Sequence, residues 1–377
     1  MKKILLGSTA IVAAGMIASA PAGAASKIKM KIGGYMEQWV GYVSNDDGVD
    51  QDFSGFDVKS DAEVMFKGST KLDNGMTVGV NVQLEANSNA GDQIDESYII
   101  LKGGFGEINL GSENSAQYKM HYAPSDYGIG MNSGDESSWV ATIADAGGDQ
   151  ISKSGMFRAP LGSTYVEVTR ANDSEKITYY TPRVEGFQLG VSYSPDSNQD
   201  SNGMPNRDTN NTDLVMVGAN FKRNMGGMSI GVSAGYGTVT DAPSAAGSLE
   251  PSATNFGVKI GMGGMSAGVS MASFEDHGSG DGTSINAGVA YSSGKMGVSL
   301  AYLHGERDGS GTTGAGDLDG QSESDVFHLS AKYSLGGGVT WAGTLGHVTF
   351  SSDDVDIDNT VDEVSATYVV TGIKIGF

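Results

Sequence analysis

The chain has 377 residues with Gly 57, Pro 8 and Cys 0, 18% charged residues and a scattered apolar content of 38%. This composition excludes a disulfide scaffold, thiolate metal sites and thiol nucleophiles, and it fits neither a disordered chain nor a helix bundle. A formal net charge of −22 speaks against nucleic acid as a partner and draws cations towards any cleft or channel that the carboxylates line.

Residues 1–24 read as a secretory signal peptide: basic Lys2 and Lys3, an apolar run from Ile4 to Ala18, and the small-residue ending Ala22-Gly23-Ala24. Cleavage after Ala24 leaves 25–377 as a single exported domain with a net charge of about −24, because the removed segment carries both Lys and no acid. No later segment approaches the ~18 consecutive apolar residues of a spanning helix. If the mature chain sits in a membrane, strands must carry it there.

From Lys27 onward the dominant period is two, the signature of strands with one apolar face. Asp61 to Leu72 places Ala62, Val64 and Phe66 on one face and Asp61, Glu63, Lys67, Ser69 and Lys71 on the other. Asp73-Asn74-Gly75 then turns the chain, since Asn and Gly tolerate the positive φ of tight hairpins. The next strand sets Val78, Val80, Val82 and Leu84 against Asn81, Gln83 and Glu85. The alternation recurs through Phe187 to Tyr193, Val215 to Phe221, Phe256 to Met262, Ile285 to Tyr291, Val298 to Tyr302 and Phe327 to Tyr333. Short turns such as Gly226-Gly227, Gly263-Gly264 and Gly294-Lys295 alternate with long polar connections such as 196–212, 238–253, 305–324 and 351–361. That asymmetry, with roughly sixteen strands from Gly33 to Phe377, predicts an all-β fold, a transmembrane antiparallel β-barrel. Tyr193, Phe221, Tyr291, Tyr302 and Tyr333 fall near ends of apolar faces, where an interfacial girdle would lie. The last strand ends on Phe377 with Lys374 facing away from Ile373 and Ile375, and Gly33 to Tyr42 is the expected closing partner.

Residues 113–175 break this rhythm. A loop far longer than about 12–15 residues inside a compact domain asks for a role, and the expectation is that it narrows a pore. It carries Glu113, Asp126, Asp135 and Glu136 against Lys119, Arg158 and Arg170. Charged side chains on a barrel facing lipid cost about 2–4 kcal/mol at mid-membrane for Lys or Arg, so the charged face is expected to look into water. Glu63, Lys67, Lys71, Asn81, Gln83, Glu85, Lys259, His328 and Lys332 are therefore the expected pore lining, on an inner face too polar to be a core. An acidic lining predicts cation preference.

Two stretches flanking the long segment carry a family resemblance. Gly103-Gly104-Phe105-Gly106-Glu107-Ile108-Asn109-Leu110-Gly111 and the stretch Lys176 to Phe187, with Tyr180-Thr181-Pro182 and Gly186-Phe187, resemble the bacterial general diffusion porins. The resemblance implies a Gram-negative outer-membrane barrel of about sixteen strands, trimeric, with its third external loop, here 113–175, folded into the lumen. It implies passive passage of small hydrophilic solutes and ions, and a role for terminal Phe377 in barrel closure and assembly. Family members commonly place Arg after the Leu-Gly of the first stretch, whereas Ser112 follows here, and the wall offers Lys67, Lys71 and Lys59 instead of an Arg cluster.

No catalytic motif is visible and no enzyme activity is expected: the five His are scattered, and no Gly-x-Ser-x-Gly or His-Glu-x-x-His occurs. No cofactor is expected. Asp354, Asp356 and Asp358 can hold Ca²⁺ or remain a solvated acidic loop, and the absence of EF-hand spacing favours the second. Two other readings stay open. A substrate-selective channel would use Tyr118, Tyr122, Tyr127 and Trp139 as an aromatic track for a sugar, and a plugged barrel would act as an adhesin or structural surface protein.

Overall fold

The computed structural model describes residues 26–45, 54–87, 93–140, 162–198, 203–241, 250–275, 281–308, 321–352 and 363–377. Residues 1–24, Arg158 and the acidic run with Asp354, Asp356 and Asp358 lie outside them. Among the described residues, the strands are β1 (Lys29–Asn45), β2 (Phe56–Lys71), β3 (Thr77–Glu85), β4 (Ile94–Gly103), β5 (Gly106–Ser112), β6 (Glu175–Tyr180), β7 (Phe187–Asp196) and β8 (Thr212–Met225). They continue with β9 (Met228–Asp241), β10 (Ser252–Met262), β11 (Met265–Glu275), β12 (Gly282–Ser293), β13 (Met296–Arg307), β14 (Ser322–Gly336), β15 (Val339–Ser352) and β16 (Glu363–Gly376). Each pairs antiparallel with its neighbours, and β1 pairs with β16 to close the barrel.

The period of two produces the two faces. On β14, Phe327 and Leu329 are 48% and 55% exposed while the intervening His328 and Ser330 are 0% and 2% exposed. The same split separates Val269 from Ser270, Val298 from Ser299 and Leu345 from Thr344. Hairpin turns hold the register: Gly226 and Gly227 take φ of 57° and 87°, a left-handed pair that matches the twist of flanking strands and that only glycine adopts without strain.

The buried face is not polar throughout. At mid-height it carries Asn, Ser, Thr and His, but towards the long connections it carries Leu214, Met216, Leu303, Val326, Val348 and Val364, each at most 3% exposed. These wall residues pack with residues of the long segment. Ile129, Met131 and Trp139 join Trp39, Val326, Val348 and Tyr368, while Val166 and Val168 join Leu214, Met216 and Phe274. The expectation of an inner face too polar to be a core therefore fails there, because residues 113–140 and 162–174 supply a second layer for apolar wall side chains to pack against.

Closure rests on the chain ends. Tyr35 to Asn45 align with Gly376 to Ala366, and Gly34 and Phe377 exchange both backbone hydrogen bonds, at 3.0 and 3.1 Å. Truncation after Val370 removes the partners of Tyr35 to Val40 and leaves two edges open in hydrocarbon, where each unpaired backbone group costs several kcal/mol. The truncated chain is expected to lose the compact, heat-modifiable band that a closed barrel shows in unboiled electrophoresis.

Candidate functional site

The segment leaving β5 is held against the polar face by wall hydroxyls. A backbone N–H away from water needs an acceptor, and outside a ladder that acceptor must be a side chain. Ala116 N donates to Ser192 Oγ of β7 (2.9 Å), Tyr122 N to Ser233 Oγ of β9 (2.8 Å), Tyr127 N to Ser299 Oγ of β13 (3.0 Å) and Ile129 N to Thr344 Oγ1 of β15 (3.1 Å). Between them, Asn220 Nδ2 of β8 donates to the Met120 carbonyl (3.1 Å) and Lys259 Nζ of β10 to Ser125 Oγ (2.8 Å). A short helix, α1 (Ala116–Lys119), begins the run with Ser115 as its N-cap. The returning limb, 162–174, touches β11 through Thr164 Oγ1 and Ser270 Oγ (2.7 Å), and Asn132 ties the limbs by donating to Thr164 Oγ1 (2.8 Å) and accepting from Thr164 N (2.7 Å). Glycines let the backbones meet. A Cβ at Gly257 would overlap the Tyr122 carbonyl oxygen, and one at Gly218 the Ala116 carbonyl oxygen.

Both ends of the segment converge on Lys176 of β6. Its ammonium, 3% exposed, donates to the carbonyls of Glu113, Asn172 and Ser174, the last two at 2.9 and 2.6 Å. Glu113, 0% exposed, accepts from Lys119 Nζ at 2.6 Å and from Asn109 Nδ2 at 3.1 Å; burial pushes its carboxyl up, against the pull of Lys119. Glu167 accepts from Ser115 N, while Glu96 accepts from Asn114 N (3.2 Å) and from Gln83. Gln83, expected as pore lining, is thus spent on the base of the segment.

The other expected residues divide by role. Asp126 caps its own turn through Gly128 N and Met131 N and faces His328 Nδ1 at 2.8 Å, whose Nε2 lies 2.6 Å from the Tyr368 hydroxyl. Glu136 is fully buried; Asp135 and Arg170 are exposed. Of these four acids, Glu113 and Asp126 are thus in contacts, Glu136 is buried, and Asp135, which accepts from Ser133 Oγ at 2.8 Å, is exposed. The open acids stand on the wall. Glu63 and Glu85 are register partners, and the Tyr35 hydroxyl donates to Glu63 (2.9 Å) and Asp61 (3.2 Å). Asn81 is 2% exposed on the same face.

Lysines share the polar face with them. Lys332 Nζ sits 3.6 Å from the centre of the Tyr127 ring, and Lys374 pairs with Glu37 at 3.2 Å. Lys67 and Lys71 lie on the polar face at the end bearing the 73–75 turn, four and eight register steps from Glu63. Tyr118, Tyr122, Tyr127 and Trp139 do not gather: Tyr118 meets Tyr165 (5.1 Å), Tyr122 lies over Gly231 of β9, Tyr127 meets Lys332, and Trp139 lies under Lys59 (5.0 Å). Lys176, His121, Tyr35 and Tyr368 were missed. Each follows a strand or loop alternation that marks its face but not its partner.

Two outcomes follow from this seating. Gly257→Val forces the Tyr122 backbone off the wall, with an overpacking cost of about 1–3 kcal/mol; a lower thermal midpoint and an altered unitary conductance are expected together. His121 lies between Thr164 Oγ1 (3.1 Å) and Ser233 Oγ (3.5 Å), and burial lowers its pKa from 6.5 to about 4. The seated imidazole stays neutral while a released one protonates, so seating is complete above pH 6.5 and weakens as pH falls to about 4. Open-channel current noise should rise across that window, and His121→Gln should flatten the rise.

The Gram-negative porin family profile matches residues 7–353. The barrel is similar to that of the anion-selective porin from Comamonas acidovorans, with a TM-score of 0.59 at 18% identity over 93% of this chain and 100% of that one. It is also similar to a loop-deletion mutant of OmpT from Vibrio cholerae, with a TM-score of 0.58 at 12% identity over 93% and 100%. At these identities the likeness concerns the fold. An uncharacterized protein of Rickettsia bellii is 25% identical over 173 residues, and the match spans 41% of this chain and 38% of that curated relative. With a closed barrel, a segment seated on its polar face and a profile running through most of its length, this chain belongs to the Gram-negative porin family.

Proposed function

We propose that the barrel is a water-filled outer-membrane channel through which small hydrophilic solutes and ions diffuse passively, with residues 113–175 as its constriction and cations preferred over anions. The observation that carries the preference is the distribution of carboxylates by exposure. Glu113 and Glu136 are fully buried, whereas Asp61, Glu63 and Glu85 remain partly open on the polar wall and Asp135 is exposed opposite them. Open carboxylates attract mobile cations; buried, paired ones contribute little field beyond their own contacts. Lys332 of β14 and Lys374 of β16 oppose this, with Lys374, set beside the Glu37–Asp61 pair of register partners, partly neutralised by Glu37. Residues 1–24 direct export and are removed in this reading. A homotrimer belongs to it too: a trimer form is described for OmpT of Vibrio cholerae, to which this barrel is similar at a TM-score of 0.57.

Reversal potential in a planar bilayer under a KCl gradient tests the preference. A potential favouring K⁺ is expected near 0.1 M and should fade towards 1 M as the Debye length falls from ~10 Å to ~3 Å. Asp61→Asn with Glu63→Gln and Glu85→Gln should shift it towards Cl⁻ without reducing the number of conducting units. An anion-favouring potential in the unmodified protein would overturn the preference and leave the pore. A saturable binding constant for one sugar, lost in Tyr122→Ala, would favour the selective channel instead.

A further inference from the structure

On β1 and β2 the polar-face acids gather at one end of the strands and unpaired lysines at the other. Towards the long connections stand Glu37 on β1 and Asp57, Asp61 and Glu63 on β2, joined by Glu85 of β3, with Lys59 among them held by Asp57. Gly33 opposite Met65 marks the boundary. Beyond it, towards the 73–75 turn, the same face carries Lys31 and Lys29 of β1 and Lys67 and Lys71 of β2, all exposed. Lys31 and Lys67 are direct cross-strand partners, an arrangement of like charges that destabilises a ladder. Among the described residues no carboxylate pairs with any of these lysines, although elsewhere on the barrel Lys59, Lys102, Lys119 and Lys374 each have one.

Strands lie about 4.8 Å apart and residues rise about 3.4 Å, so the ammonium groups of Lys31 and Lys67 start from adjacent backbones, with Lys29 and Lys71 one and two side-chain repeats further along. A single chloride neutralises one such group. An oxyanion carrying more than one charge, with several acceptor oxygens, spans two. Lysine ammoniums bind such groups as point charges, each with three donors, and they need no fixed fork geometry to do so. Repulsion between Lys31 and Lys67 is relieved when an anion sits between them, so their cross-strand placement favours anion binding.

We propose that Lys29, Lys31, Lys67 and Lys71 form a binding site for multivalent oxyanions, of the inorganic phosphate class, at the short-turn mouth of the barrel. The inference rests on the pore reading for its conductance readout but concerns a different site from the constriction. Occupancy removes positive charge from one mouth only, so its effect on ion flow is sided.

The test uses the full-length purified protein in a planar bilayer at about 0.1 M KCl, where the Debye length is ~10 Å. Because the chain has Cys 0, Lys295→Cys in the exposed turn after β12 gives a single thiol, and a membrane-impermeant thiol reagent reports which mouth faces which compartment. Inorganic phosphate is then titrated into one compartment at constant ionic strength. The expected result is a saturable shift of reversal potential towards K⁺ at roughly tenfold lower phosphate from the short-turn side than from the other. Lys31→Gln with Lys67→Gln should abolish that difference, while Lys222→Gln on β8 should keep it. Equal responses from both sides, or a sided response that survives in the double variant, would overturn the site. Phosphorus NMR of the detergent-solubilised protein reads the site without conductance: line broadening by the unmodified chain should be lost in the double variant, and equal broadening by both would overturn it. Absence of any conductance, with NMR broadening intact, would remove the pore reading and leave the site standing.

Discussion

Everything in this barrel depends on where its backbone hydrogen bonds go. In hydrocarbon an N–H or C=O without an internal partner costs several kcal/mol, so a chain that crosses a membrane by strands must join its last strand to its first. The β1–β16 seam meets that demand, down to the exchange between Gly34 and Phe377. Once the seam is closed, the two faces have fixed environments, and alternation along each strand assigns every side chain to one of them.

The same accounting explains how the described limbs of the long segment, 113–140 and 162–174, hold their place without strands. Their backbone has no ladder, so the wall supplies acceptors and donors from Ser192, Ser233, Ser299, Thr344 and Asn220, spread over β7, β8, β9, β13 and β15. Small wall residues matter as much as polar ones, because the Gly257 and Gly218 backbones lie where any side chain would collide with the segment. Lys176 then draws both ends together through three carbonyls. Apolar contacts towards the long connections add a conventional core between segment and wall. The arrangement is a second layer inside a single-layer sheet, which is why the buried face changes from polar to apolar along its height.

Burial also decides what each charge does. Glu113 and Asp126 are carboxylates held by Lys119 and His328, contacts that offset part of their cost of desolvation. Glu63, Glu85 and Lys67 keep enough water to act on mobile ions, and the register sorts them by sign along one wall. A chain with a large negative charge thus presents to its aqueous face a pattern that its total does not describe.

Strand positions, turn geometry, the even count and the closing partnership of Gly33 to Tyr42 with the last strand were all legible in the sequence. They depend on period two and on Gly and Asn at turns, both of which are local. The inward placement of Lys259, His328 and Lys332 was legible for the same reason. What the tertiary structure alone decided is which charges are used up. Nothing local distinguishes Asp126, which meets His328 some two hundred positions away, from Asp135, which faces water. Nothing local marks Lys176 as the anchor of a segment whose ends it gathers, or Gly257 as the bed of Tyr122. Those assignments depend on through-space pairing between strands far apart in the chain, and only the closed barrel brings the partners together.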